Sequence, residues 1–253
     1  MLRRLRNNCA GEKHLIDLHL TKLRARDDVS SEEEADLRAA VSECRSYRAD
    51  QLIVRQHVKT TECVLLISGF AGCFKDLRSG ERQITKLQIG GDFLDLHGLT
   101  LKPLDHNIIA LTSCTVAVFP HAALHALTEK HAHLTRLLWF QTNLDAAVQR
   151  EWEVSLGRRT AVQRLAHLFC EMQARMALVG LDDARGFAFP LTQTDLAECT
   201  GLTSVHVNRT LKELRERGLV EVRGGRVDIH DLAALRTAGE FDPTYLYLDR
   251  CPV

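Results

Sequence analysis

Residues 191–230 read LTQTDLAECTGLTSVHVNRTLKELRERGLVEVRGGRVDIH. Thr192 is a good helix N-cap, and Asp195 stands three residues on, as in a capping box. The short helix that follows carries Leu196 inward beside the small Ala197. Gly201 permits the tight turn that closes it, with positive φ. Thr203 caps a second helix, whose Val207, Leu211 and Leu214 fall on one face. Two helices that cross closely at a steep angle through a three- or four-residue turn make a helix-turn-helix. Gly218 ends the second helix. Leu219–Val222 then reads as a strand, Arg223-Gly224-Gly225-Arg226 as a turn and Val227–Ile229 as a return strand. Helix-turn-helix plus a β-hairpin with arginines at its tip is a winged helix-turn-helix.

Local charge agrees with a DNA surface. The chain carries 33 basic and 33 acidic residues and is neutral overall. Between Gly201 and Arg226, six Lys or Arg stand against three acidic residues, an excess of three positive charges. The polar face of the second helix carries Ser204, Val205, Asn208, Arg209 and Lys212, with Thr203 and His206 in its first turn. These N-terminal turns are the part that enters a major groove. Arg209 is suited to guanine O6 and N7, and Asn208 to a base or a phosphate. Ser204, Lys212, Arg223 and Arg226 suit backbone positioning. Each residue alone could be an ordinary solvated face. The coincidence of cap, glycine turn, apolar face and wing is what points to double-stranded DNA as partner.

Working outward, the rest of the chain has three textures. Residues 12–44 read as helix, with Ser30 or Ser31 as N-cap before the acidic turn Glu32-Glu33-Glu34. From Arg45 to Pro120, short apolar segments alternate with turns: Gln51–Val54, Cys63–Ser68, Gly72–Leu77, Gln83–Gln88, Phe93–Leu96, Asn107–Leu111 and Thr115–Phe119. Short, evenly spaced strands predict a sandwich or barrel of jelly-roll type. Residues 121–155 return to helix. Leu134, Leu137, Gln141, Leu144, Val148, Glu151 and Ser155 follow a 3-4-3-4 spacing, a single seam of coiled-coil kind. The other reading of that seam is a helix lying on its own β-domain. Gly157-Arg158-Arg159 reads as a hinge, a further helix as Thr160 to about Leu178, and Asp182–Gly186 as a polar loop.

Composition narrows the class. Of 253 residues, 45% are hydrophobic and 26% charged, which suits an ordinary globular core. No apolar run approaches a membrane span, and the basic N-terminus has no apolar stretch behind it. The sequence therefore reads as cytoplasmic, with no membrane partner. The eight cysteines are scattered at ten residues or more, without a CxxC pair, and read as reduced, buried thiols.

The string TQTDLAECTGLTSVHVNRTLKELRERGLV resembles the winged helix-turn-helix of the Crp–Fnr superfamily of bacterial transcription regulators. The order of a β-rich half, a long helix and then this module extends the likeness over the chain. The resemblance implies an α+β protein: an N-terminal double-stranded β-helix (jelly-roll) sensor domain of cyclic-nucleotide-binding type, a long central dimerisation helix and the C-terminal winged helix-turn-helix. The expected boundaries are 1–130 for the sensor with its N-terminal helices, 131–156 for the dimerisation helix, 157–238 for the DNA-binding domain and 239–253 for a C-terminal tail. It also implies a homodimer joined through Leu134, Leu137, Gln141, Leu144 and Val148, near-palindromic operators, RNA polymerase as a further partner, and Arg209 at the base-reading arginine position.

Two departures bear on specificity. Relatives that read the best-known operator carry glutamate four residues before that arginine, and here the position is Val205. Relatives that bind cyclic AMP have a Gly-Glu pair followed by an arginine. Here Gly91-Asp92-Phe93 stands there, and no arginine occurs between Gln83 and Thr135, so a cyclic phosphate lacks its guanidinium clamp. The iron–sulfur branch needs clustered N-terminal cysteines, and Cys9 stands alone. Both cofactors are disfavoured, and the effector is left open. His97 and His106, around the cassette region, are candidate effector residues. His121 and His125, with His131 and His133 nearby, could offer imidazoles to a metal, but surface histidines explain them, and no metal is expected. A cupin-like metalloenzyme would need HxH on strands. The only HxH, His131–His133, lies in a helical stretch, so catalysis is not expected. A DNA-binding dimer without any ligand stays open.

Overall fold

The structure is a computed structural model that describes residues 14–253. Cys9 and the basic N-terminal segment lie outside the described residues. The chain is α+β, and its contacts divide it into two compact units. The first unit takes residues up to 71, residues 88–138 and Val253; the second takes residues 72–87 and 139–252.

The first unit opens with α1 (Asp17–Arg26) and α2 (Ser31–Ala39). Ser30 caps α2 in a full capping box: its hydroxyl accepts from Glu33 N–H, and Glu33 Oε2 accepts from Ser30 N–H at 2.9 Å. The helical stretch expected over 12–44 is thus two helices, the second starting after the expected cap, and its last two residues already belong to strand β1 (Glu43–Tyr47). The sequence pattern missed β1 because ECRSY is half polar. It forms by pairing with β7 (Cys114–Pro120), whose CTVAVFP is nearly all buried. β3 (Glu62–Ser68) pairs with the other edge of β7, so the order is β1-β7-β3, all antiparallel. β2 (Leu52–Val54) pairs with β6 (Asn107–Ala110). The strand expected at Phe93–Leu96 is instead a single bridge from Phe93 to Leu65 and then a 3₁₀ turn at Leu96–Leu99.

The helical stretch after β7 is also divided, into α3 (His121–Lys130) and α4 (Ala132–Arg158), because His131 leaves helical geometry. The core of this unit joins Leu20, Leu23 and Leu37 to Leu65, Phe93 and Phe119 and to Leu134, Leu137 and Leu138 of α4.

β4 (Ala71–Asp76) and β5 (Arg82–Gln88), which apart from Ala71 and Gln88 belong to the second unit, form a hairpin whose turn is closed by Leu77 N–H on Glu81 O. α4 ends at Arg158, beside the expected hinge, and Thr160 caps α5 (Ala161–Leu178) with Gln163 in a capping box. The expected polar loop at 182–186 carries two short strands, β8 (Asp182–Asp183) and β9 (Gly186–Ala188). They join the wing strands in a sheet of order β10-β11-β9-β8.

Residues 239–253, expected as a tail, do not hang free. Phe241 and Leu246 are buried. His167 of α5 stacks on Tyr245, with ring centroids 5.8 Å apart, and its Nδ1 meets Gly239 O at 3.1 Å. Gly239 is required here, since a Cβ at that position would fall 2.6 Å from His167 N.

Candidate nucleic-acid interface

The interface is built on α6 (Gln193–Thr200), α7 (Ser204–Glu216) and the hairpin of β10 (Val220–Arg223) and β11 (Arg226–Ile229). Thr192 and Asp195 form the expected capping box, Asp195 Oδ2 accepting from Thr192 N–H at 2.7 Å. Gly201 takes φ 62° and ψ 38° and closes α6 onto Ala197 O. The left-handed residue turns the chain within three positions into Thr203, whose hydroxyl accepts from His206 N–H. The buried side of α7 is Val207, Thr210 and Leu214, while Leu211 is only half-buried. Thr210 fits this core because its hydroxyl donates back to His206 O at 2.9 Å, which polarity alone hides in the sequence. At the wing tip both Gly224 and Gly225 have positive φ, the geometry of a two-residue primed hairpin turn.

The outward side of α7 presents Val205, Asn208, Arg209 and Lys212, with Thr203 before them and Ser204 and His206 in the first turn. Thr203, Val205, Asn208, Arg209 and Lys212 are exposed, and Ser204 and His206 are half-buried. Arg209 makes no ion pair among the described residues, and Lys212 makes one loose approach to Glu216, at 3.6 Å. Asn208 Nδ2 donates to Gln193 Oε1 at 3.4 Å. Gln193 was not expected at the interface; its position just inside the Thr192 cap was the available signal.

The two wing arginines differ. Arg223 is exposed and has no partner among the described residues. Arg226, expected to hold DNA backbone, has its Nη2 2.6 Å from both Asp183 oxygens, and its Nε reaches Asp228 at 2.8 Å. Those hydrogen bonds, Asp228 first and then Asp183, raise its pKa further. Asp183 is itself held by the N–H groups of Arg185 and Gly186. Arg226 therefore ties β11 to the β8–β9 turn, and the free charge of the wing is at Arg223. Cys199 in α6 is 3% exposed, and burial pushes its thiol pKa well up, so it is a packing residue rather than a thiolate.

Elsewhere, the candidate effector histidines do come together. The rings of His97 and His106 lie 5.1 Å apart at 33°, and His106 Nδ1 meets Asp105 Oδ1 at 3.0 Å. A cavity of about 160 Å³ in the same unit is lined by Arg45, Tyr47, Arg55, Thr60, Glu62 and Asp95, among others. Its two arginines precede the segment in which the sequence offered none. Asp92, at the place of the glutamate of nucleotide-binding relatives, meets Lys22 Nζ at 2.5 Å and accepts from Ile89 N–H. Glu32, Asp36 and His131 lie close enough to share a cation. Lys130 Nζ already sits 2.9 Å and 2.7 Å from the two carboxylates and supplies that charge.

The expected seam divides. Leu134 and Leu137 have no exposure and belong to the core of the first unit, so they cannot meet a second chain. Val148 is buried at 5%. Gln141 and Leu144 are half-buried. The apolar residues that α4 exposes are Trp139, at 66%, and Val154.

A winged helix-turn-helix with a bare, basic recognition face, in a chain whose other half is a β-domain, defines a DNA-binding regulator. Comparison with known proteins agrees. Residues 163–238 match the family model of the Crp-like helix-turn-helix domain, and residues 44–131 that of the cyclic nucleotide-binding domain. The transcriptional activator protein FnrL of Cereibacter sphaeroides is 30% identical over 197 residues, 76% of this chain and 78% of that one. The nitrogen fixation regulation protein FixK of Bradyrhizobium diazoefficiens is 29% identical, covering 69% of this chain and 72% of the relative. Among solved structures, FixK2 from Bradyrhizobium japonicum superposes with a TM-score of 0.70 at 24% identity, over 84% of this chain and all of that one. The chain belongs to the Crp–Fnr family of DNA-binding transcription regulators. Its relatives are regulators rather than enzymes. Among the described residues, no helix is long and apolar enough to cross a membrane.

Proposed function

We propose that the chain works as a cytoplasmic homodimer that reads near-palindromic operators with two copies of α7, under control of a signal received by residues 1–130, and that it acts on RNA polymerase once bound. The observation that carries this reading is the outward face of α7, where Val205, Asn208 and Arg209 stand exposed beside Lys212. Thr203, Ser204 and His206 complete its first turn, Arg223 reaches phosphate from the wing, and Arg226 supports the wing. Residues 131–156 join the two copies, through Gln141, Leu144 and the exposed Trp139 rather than through Leu134 and Leu137.

Cyclic AMP is not the signal in this reading. Asp92 is engaged by Lys22, and Arg45 is held by Glu43 and Glu62. An iron–sulfur cluster is likewise set aside for want of clustered cysteines. His97 and His106 remain the candidate effector residues. The test is selection from random duplexes by the full-length protein at one stated salt concentration, in parallel with sedimentation. A two-fold symmetric motif and a dimeric mass support the reading. A dimer-free solution, or no enriched motif even with a bacterial small-molecule extract present, overturns it.

A further inference from the structure

Val205 is 82% exposed, more than any other large apolar side chain among the described residues. Nothing in the fold asks for a valine there. It is the second residue of α7, and a β-branched residue gives up helix propensity at an exposed position. It packs into no core, and its neighbours on the same face are Asn208 and Arg209. An isolated apolar side chain is common on a surface. This one sits on the turn of the recognition helix that enters the major groove, one helical turn before the guanidinium suited to guanine.

Base-pair edges in that groove offer hydrogen-bond donors and acceptors and one apolar group, the C5-methyl of thymine. A valine pressed against a C·G pair would strip water from the cytosine amine and return no acceptor, which leaves a buried donor unsatisfied. Against thymine the same side chain covers a methyl and leaves no polar group bare. Resting on the DNA-binding reading above, we infer that Val205 is a specificity-determining residue that selects thymine by its methyl group, in the base step neighbouring the one read by Arg209. The half-site of this regulator then carries T·A where a glutamate-bearing recognition helix would take C·G.

The operator itself is found in the first step of the test. A duplex is selected from random sequence by the full-length protein, with a bacterial small-molecule extract present. Each thymine of its half-site is then replaced singly by uracil, which deletes only the methyl. One position should weaken binding by about fourfold per half-site, the worth of about one buried methyl-sized group. Val205→Ala, at an exposed site that leaves the core untouched, should bind thymine and uracil equally at that position. Val205→Glu should move the selected base there from thymine to cytosine. If every uracil replacement is neutral, or if Val205→Ala keeps the penalty, the thymine assignment is wrong while DNA binding stands. If no duplex is enriched at all, the DNA-binding reading fails and this inference fails with it.

Discussion

The phenolic hydroxyl of Tyr245 donates to Glu171 Oε2 at 2.9 Å, and that carboxylate has no solvent exposure. Trp152 Nε1 donates to the same oxygen at 3.0 Å, and Arg175 Nη1 to the other at 2.9 Å. Arg175 also reaches Leu87 O with its second amino group. One buried carboxylate thus binds together α4, α5, the C-terminal segment and, through Arg175, the end of β5. Such a network is costly to leave half-made.

Two substitutions should therefore differ in size. Tyr245→Phe removes one donor and should cost about 1–3 kcal/mol of stability. Arg175→Met strands a buried carboxylate and should cost about 3–5 kcal/mol. Thermal unfolding of both variants checks the order; equal midpoints for wild type and Tyr245→Phe would show that the C-terminal segment contributes nothing here.

His133 supplies a pH dependence. Its ring meets Glu33 at 2.8 Å and Asp27 at 3.1 Å. The hydrogen bond to Glu33 leads in raising its pKa from 6.5, burial opposes, and Asp27 adds to the rise. A histidine raised on folding stabilises most below its unfolded value and loses that contribution as pH climbs through the folded one. The stability gap between wild type and His133→Gln should be widest near about pH 6 and narrow toward about pH 8. A gap that widens instead over that range would contradict the ion-pair geometry.

Three arginines should respond differently in DNA binding. Arg209→Ala should cost about 1–3 kcal/mol and relax discrimination at one base per half-site. Arg223→Ala should weaken all sequences alike and reduce the salt slope by about one. Arg226→Ala should loosen the wing, read as faster amide exchange in β8 and β9, because its charge is engaged by Asp183 and Asp228. If Arg226→Ala instead changes only the salt slope, the ion pairs open on DNA.

On α4, Leu137→Asp should unfold the first unit, since the side chain has no exposure. Trp139→Glu should leave the fold intact and weaken self-association. Sedimentation combined with circular dichroism separates the two; a folded monomer from Leu137→Asp would return that leucine to the dimer seam.

The local grammar of the DNA-binding module is written in its residues. Thr192 with Asp195, Gly201, Thr203 and Gly224-Gly225 act through bonds and dihedral angles within a few residues, so their outcome needs no distant partner. The apolar strands are legible too, because their pattern reports burial directly. Other features depend on partners far along the chain, and only the folded protein brings those into place. β1 is a strand because β7 offers it an edge. Arg226 is a tie because the loop at 182–186 folds into β8 and β9 beside it. His97 and His106 meet because the 3₁₀ turn brings the first back toward β6. Leu134 and Leu137 belong to the chain's own core although their spacing suits a dimer seam equally well. Helical periodicity records which side of a helix is dry, and only packing records what covers it.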